Sequence, residues 1–352
     1  RRDAPEWVFY EGPPTANGRP GAHHVLARVF KDIYPRFRTM RGNYVFRKAG
    51  WDCHGLPVEL EVERQLGISR KEEIEAYGVA AFNELCKSSV SRYVDEWQRM
   101  TERIGFWIDL EDAYVTYHNT YIESCWWIMK QLYDRGLLYE DYKTTWHSPS
   151  SNTTLASHEV SLGYKEDVED PSVFPKFRAV APDLRAKGLL PAGEERPVYF
   201  LAWTTTPWTL AANAGLAVMA DAAYVVVEGP RAHGEEPGTE LYVVAEERVE
   251  AVFGGSQGRV LARARGSDLA GLRYHPVLLG RAPDGADLAN VYTVVVDEIV
   301  TLDDGTGIVH LAPAYGDLDV GRRHGLPTLF SVDLTGAVMP EVRPVEDAPS
   351  AE

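Results

Sequence analysis

The chain has 352 residues, 45% of them hydrophobic and 11% aromatic, enough apolar material for two compact cores. Lysine and arginine number 36 against 52 aspartates and glutamates, and a net charge of −16 argues against non-specific DNA binding and leaves any nucleic-acid contact to local basic patches. Cys53, Cys86 and Cys125 lack Cys-x-x-Cys spacing and give neither a disulfide framework nor a cysteine-rich zinc site; no apolar run reaches membrane-spanning length, so a cytoplasmic protein without a membrane partner is expected.

Near the start, Val8-Phe9-Tyr10 reads as a buried strand, followed by the turn formers Gly12-Pro13-Pro14 and Asn17-Gly18. Helical periodicity then runs from Val25 to Met40. From Glu72 onward, Ile74, Tyr77, Phe82, Leu85, Tyr93, Trp97, Met100 and Ile104 recur near helical spacing, which predicts one or two amphipathic helices. A further helix over Tyr121 to Arg135 is expected to stop at Gly136, before the apolar run Leu137-Leu138-Tyr139. Between 146 and 170 the composition shifts to Ser, Thr, Asn, His and charged residues, as in a connector. Strand-like runs follow at Val198 to Trp203, Tyr224 to Val227, Leu241 to Val244 and Val291 to Val296, separated by Gly, Pro and Asp turns, and this second unit reads as a mostly β barrel. Pro340 to Glu352 is acidic and Pro/Ala-rich and reads as a disordered tail. The expected fold is α/β, with a first domain over 1–145, a connector over 146–170, a β-barrel domain over 171–339 and a tail over 340–352.

Four motifs carry the chemistry. They are Tyr10-Glu11-Gly12-Pro13-Pro14-Thr15-Ala16-Asn17-Gly18, Gly50-Trp51-Asp52-Cys53-His54-Gly55-Leu56-Pro57-Val58-Glu59, Trp203-Thr204-Thr205-Thr206-Pro207-Trp208-Thr209-Leu210-Ala211-Ala212-Asn213, and Gly305-Thr306-Gly307-Ile308-Val309-His310-Leu311-Ala312-Pro313-Ala314-Tyr315-Gly316-Asp317-Leu318-Asp319. In this order they resemble the class I aminoacyl-tRNA synthetases of the isoleucine type. The resemblance implies the first half of a Rossmann-like domain followed by an inserted editing domain. It also implies that Thr204, Thr205, Thr206, Thr209 and Asn213 cradle the terminal adenosine and the ester of charged tRNA, and that Trp208 and His310 wall the side-chain pocket. Asp319 would anchor the substrate's α-ammonium as a buried or partly buried carboxylate, sharing the catalytic role with Thr204, Thr205 and Thr206, while Trp203 and Tyr315 would complete the binding surface. Ala211-Ala212 stands where relatives commonly carry Pro-Gly, so a shifted loop is expected.

Three departures bear on function. Gly21-Ala22-His23-His24 replaces the family's His-x-Gly-His signature, which contacts ATP phosphates, so Pro13, Asn17, His24, Trp51 and Asp52 are expected to form a vestigial ATP and amino-acid site. The Lys-Met-Ser-Lys-Ser loop and anticodon-binding helices would follow the editing insertion, and the sequence stops first. Trp146-His147-Ser148-Pro149-Ser150-Ser151-Asn152 falls where many relatives hold a zinc knuckle, and with only His147 and His158 nearby no metal is expected. Arg36, Arg38, Arg41, Arg47 and Lys48 are read equally as an RNA-phosphate patch or a solvated helix face.

The expected activity is therefore not aminoacylation. It is transfer of an isoleucyl or valyl group from tRNA to a small-molecule nitrogen nucleophile, as in tRNA-dependent antibiotic biosynthesis, with charged tRNA as the donor and no cofactor. Hydrolysis of the same ester, a fragment of a complete isoleucine–tRNA ligase, and a silent tRNA-binding paralogue are the alternatives. A homodimer covering the open sheet edge is also expected.

Overall fold

The computed structural model describes residues 3–16, 18–161, 165–169, 171–230, 238–256 and 258–345. The chain divides into two units, Arg1–Asp141 and Tyr142–Glu352. The fold is mixed α/β.

The first unit contains α1 (Ala22–Met40), β1 (Lys48–Trp51), α2 (Leu56–Leu66), α3 (Lys71–Tyr77), α4 (Val79–Arg103), β2 (Asp109–Val115) and α5 (Asn119–Asp134). β1 and β2 pair in parallel, which requires a crossover, and α2 to α4 supply it. One core forms where Ala16, Trp51, Cys53, Val58, Val90 and Trp97 meet, and Trp97 donates its indole N–H to the Gly18 carbonyl at 2.9 Å. Burial pushes the Cys53 thiol up to about 11, so it is a neutral core group. The strand expected over Val8 to Tyr10 does not form: Val8 is 58% and Tyr10 88% exposed. Trp7 beside them donates its N–H to Tyr44 O, leaving an isolated bridge rather than a ladder. The expected helices are present, and Gly136 follows α5 with φ +67°, a conformation that suits glycine at a helix stop.

The five basic residues of the patch are engaged within this unit. Arg36 pairs with Asp32 and lies 4.1 Å from the Trp107 ring, Arg47 donates to Pro35 O at 2.9 Å, and Lys48 meets Asp112 at 3.1 Å. Arg38 and Arg41 lean over Trp7 and Phe37. These contacts favour the structural reading of the patch.

The second unit opens with a hairpin of β3 (Trp146–Ser148) and β4 (Thr153–Leu155), then α6 (Ser157–Ser161), β5 (Lys176–Ala179), α7 (Ala181–Ala186) and β6 (Val198–Leu201). A 3-10 turn over Pro207–Ala212 leads into β7 (Gly215–Val218), β8 (Ala223–Glu228), β9 (Leu241–Ala245), α8 (Val249–Phe253), β10 (Val260–Arg265), α9 (Gly266–Leu269), β11 (Tyr274–His275) and β12 (Leu278–Leu279). It closes with β13 (Thr293–Val296), β14 (Ile308–Leu311), a further 3-10 turn over Pro313–Tyr315, α10 (Leu318–His324) and β15 (Arg343–Pro344).

The expected barrel is not supported. Among the described residues, the main sheet runs β10-β8-β9-β6-β5-β11 with two edges, and β13-β7-β14 forms a separate sheet. Phe177, Phe200, Val226 and Val243 from the first meet Leu216 and Ile308 from the second in a single core. All four residues of β7 are buried, as befits a central strand with a parallel neighbour in β13 and an antiparallel one in β14. Within the stretch expected as a tail, Pro344 and Arg343 pair with Leu278 and Leu279; residues 346–352 lie outside the described residues.

Gly280 follows β12 where the chain passes the first 3-10 turn. A Cβ there would stand 2.1 Å from the Ala211 carbonyl oxygen, with backbone rather than a flexible side chain in the way. Gly280→Ala should therefore destabilise the protein by about 1–3 kcal/mol, the usual cost of overpacking, read as a lower urea midpoint at unchanged m-value. An unshifted midpoint would show that the turn and strand can separate freely.

Candidate functional site

Two motifs nearly a hundred residues apart in sequence meet in the second unit. The first begins where Thr204 exchanges backbone hydrogen bonds with Val173, at 2.9 and 3.0 Å, which fixes the chain as it leaves β6. Thr206 then turns the chain: its N–H donates to the Thr204 hydroxyl at 3.1 Å, and Pro207 opens the 3-10 turn with a preset φ and no N–H to satisfy. Thr209 closes the turn through its hydroxyl, which donates to Thr206 O at 2.7 Å. Ala211 and Ala212 are buried within this turn and complete it.

The second motif supplies β14. Gly307, at φ +76°, precedes it where a Cβ would lie 2.4 Å from that of Ala245, so glycine lets β14 approach β9. His310 then points into the cluster, 8% exposed, with Nε2 2.7 Å from the Thr209 hydroxyl and Nδ1 3.3 Å from the Asn213 amide nitrogen.

These contacts determine the ring's protonation. Since the Thr209 hydrogen goes to Thr206 O, the Thr209 hydroxyl oxygen accepts from His310, and Nε2 carries the proton. Asn213 donates to Nδ1 and to Gly215 O at 3.0 Å, while its own carbonyl accepts from Tyr274 at 2.6 Å. A second proton on the ring would oppose the Asn213 donor. Burial lowers the imidazole to about 4, so it is neutral near neutral pH.

Thr204, Thr206, Thr209, Asn213 and His310 thus share one bonded cluster. Thr205 and Trp208 stand outside it and are exposed, Trp208 by 59%. Trp203 is half-buried, and a Cβ on Gly305 would lie 3.3 Å from it. Tyr315 shares a 2.5 Å hydrogen bond with Ser331.

Asp319 requires a correction. Its side chain is 86% exposed in the first turn of α10 and lies 3.6 Å from Arg322, whereas a buried or partly buried carboxylate was expected. The more sheltered carboxylate is Asp317, which accepts the Ala312 N–H at 2.8 Å and is raised above its ordinary range by burial. Tyr274 was missed from the sequence. It lies on a strand of two residues without any motif, and a buried tyrosine needing a hydroxyl partner was the available signal.

In the first unit, Gly21 N–H donates to His24 Nδ1 at 2.9 Å, and the His24 ring lies 3.8 Å from His23 and 4.6 Å from Trp97. Burial lowers the His24 imidazole. Pro13 is half-buried, Trp51 is buried, and Asp52 accepts from Thr15 at 3.3 Å. Asn17 and the His158 side chain lie outside the described residues. In the β3–β4 hairpin the Ser148 and Ser150 hydroxyls are 3.2 Å apart, and His147 Nε2 donates to Leu334 O at 2.7 Å.

Residues 1–298 match the family of class I tRNA synthetases (I, L, M and V). Similar curated proteins include the isoleucine–tRNA ligase of Dehalococcoides mccartyi, 46% identical over 357 residues, covering 96% of this chain and 34% of that one. The isoleucine–tRNA ligase of Thermus thermophilus is 46% identical over 343 residues, covering 97% and 31%. The chain thus spans about a third of the length of these relatives. Among solved structures, the P. knowlesi cytosolic leucyl-tRNA synthetase editing domain has a TM-score of 0.34 at 16% identity, covering 46% of this chain and 67% of that one. A ternary LeuRS–tRNA–LeuAMS complex from Agrobacterium radiobacter K84 has a TM-score of 0.36 at 16% identity, covering 93% and 41%.

The buried imidazole makes stability depend on pH. Its folded value of about 4 lies below the unfolded value of about 6.5, so between these limits the unfolded chain binds a proton that the folded chain does not. Stability should fall as pH falls through that window, by about 2 kcal/mol from pH 7 to pH 5 on this group's account. His310→Gln should remove that part of the slope in urea unfolding at the two pH values. An identical slope in the variant would mean that the ring titrates as if solvated.

Proposed function

Since the chain belongs to the class I tRNA synthetases (I, L, M and V), we propose that its second unit is an editing region that hydrolyses the ester of a misacylated tRNA. The observation that carries this reading is the cluster joining Thr204, Thr206 and Thr209 to His310 and Asn213, because it couples two distant motifs into one neutral, hydrogen-bonding wall. Editing answers a physical limit: one methylene yields only about 1–3 kcal/mol of discrimination, and the isoleucine enzyme is itself the usual illustration.

In the proposed reaction, water bonds to the ester carbonyl carbon and the bond to the ribose oxygen breaks. That oxygen takes a proton and the amino acid leaves free. Thr205, exposed beside the cluster, donates toward the ester; Trp208 bounds the side chain; Asp319 faces the α-ammonium. His310 has both nitrogens engaged and a low pKa, so it acts as a positioning residue for Thr209 rather than as a proton carrier. Aminoacyl transfer to a nitrogen nucleophile would use the same donor pocket. A span of about a third of the relatives' length is compatible with a segment of a complete isoleucine–tRNA ligase.

The test incubates the chain with valyl-tRNA specific for isoleucine and follows the valyl group by mass spectrometry. Free valine released above the buffer rate supports hydrolysis, a valyl conjugate formed with added amines supports transfer, and neither product defeats the proposal. Asp319→Ala should lower kcat/KM about ten-fold, near 1.4 kcal/mol, because an exposed carboxylate is screened until a ligand covers it. Thr205→Ala should cost less.

A further inference from the structure

Asp319 is assigned to the substrate's α-ammonium, yet its side chain is 86% exposed and, among the described residues, pairs only with Arg322, at 3.6 Å. Neighbouring side chains do little to fix it. Its place is set by the backbone at the start of α10, and so by whatever ties that start to the rest of the unit.

The tie is Asp317. An aspartate immediately before a helix ordinarily turns its carboxylate forward onto the free N–H groups of the first turn. Asp317 makes no such bond. Its Oδ2 reaches back to accept the Ala312 N–H at 2.8 Å, while its own carbonyl accepts the Gly321 N–H at 2.8 Å and begins the helix. One residue thus grips the end of β14 with its side chain and the first turn of α10 with its backbone.

Packing leaves that grip little play. Ala312 is buried in one core with Leu311, Val320 and Leu326, so β14 and α10 rest on the same apolar base. A Cβ on Gly321 would stand 2.9 Å from Pro313 Cγ, so the helix lies close against the 3-10 turn over Pro313–Tyr315. At its far end α10 is held by Asp297, which meets Arg323 and His324, each at 2.9 Å. His310 on β14 and Asp319 on α10 are therefore linked by a short turn fixed at both ends, and Asp317 fixes the near one.

That turn requires an acceptor rather than a charge. Burial raises the Asp317 carboxyl above its ordinary range and so opposes its ionisation. An amide oxygen in the same place would accept the Ala312 N–H as well.

We propose that Asp317 is the positioning residue for Asp319: by holding the Ala312 N–H it sets where the α-ammonium of the acyl group is met. The role rests on the editing reading above, and Asp317 itself does not touch the substrate.

The probes are two labelled acceptor-stem minihelices whose terminal adenosine carries, through a non-hydrolysable amide, either a valyl group or an isovaleryl group, which is valyl without its amine. Fluorescence anisotropy measures both against the unaltered chain and its variants. The unaltered chain should prefer the valyl RNA by about ten-fold, the size of a partly screened charge pair. Asp317→Ala should abolish that preference and leave isovaleryl binding unchanged, which a general loss of structure would not do. Asp317→Asn should keep the preference. In an Asp319→Ala background, Asp317→Ala should have no further effect, because both changes remove one contact. Should Asp317→Ala not fold, Asp317→Ser, whose hydroxyl is too short to reach back as the carboxylate does, replaces it in every comparison.

Equal weakening of both RNAs, an unchanged preference in Asp317→Ala, additive losses with Asp319→Ala, or no preference in the unaltered chain would overturn the inference. Loss in Asp317→Asn equal to that in Asp317→Ala would overturn it too, by making the Asp317 charge itself the ammonium's partner. Valyl-tRNA hydrolysis by the unaltered chain is followed separately: hydrolysis without the expected binding pattern loses the role of Asp317 alone, and the pattern without hydrolysis loses the editing reading alone.

Discussion

A neutral imidazole held inside the second unit is the constraint on which the rest of the site depends. His310 needs one acceptor and one donor, and it finds them on Thr209 and Asn213, within and just after a tight turn. Leaving either nitrogen unpaired in that burial would cost on the order of 1–3 kcal/mol, so the turn and β14 are held to one another by more than apolar contact. Tyr274 extends the same demand to β11, which lies on the edge of the larger sheet. A set of mutually satisfied polar groups thus joins both sheets, while aliphatic and aromatic side chains fill the space around it.

That arrangement separates the groups that build the pocket from those that face solvent. The buried hydroxyls and amide are fixed by one another, and Thr205, Trp208 and Asp319 face solvent, where the proposed reaction would place the charged tRNA. Asp317 stands between these roles. It closes the turn from Ala312 to α10, so the placement of Asp319 depends on a carboxylate that burial makes less acidic.

What the sequence made legible follows from the range of each signal. Helical periodicity over Glu72 to Ile104 repeats often enough to identify α3 and α4, whereas three apolar residues at Val8 to Tyr10 have no period to test and proved to be irregular chain with Val8 and Tyr10 exposed. The runs that became β6, β8, β9 and β13 were visible as strands, but whether a sheet closes on itself depends on pairings between distant segments, and there the barrel reading finds no support among the described residues. Threonines and His310 were found through their motifs. Their mutual bonding, the tautomer and the solvent exposure of Asp319 depend on three-dimensional neighbours that spacing does not encode. The arginines of α1 were ambiguous for a similar reason: Asp32 is a helical neighbour of Arg36, but Trp107 comes from a distant part of the chain.

The pairing of β7 has a consequence for how the pocket comes into being. Gly215 aligns with Thr293 on one side and Leu311 on the other, so both neighbours lie far along the chain. During synthesis, β7 and the threonine turn would leave the ribosome long before β13 and β14, with apolar faces that have nothing yet to cover them. The pocket is therefore a late product of folding, and the loop-closure entropy of that long intervening segment is set against every contact the two strands make.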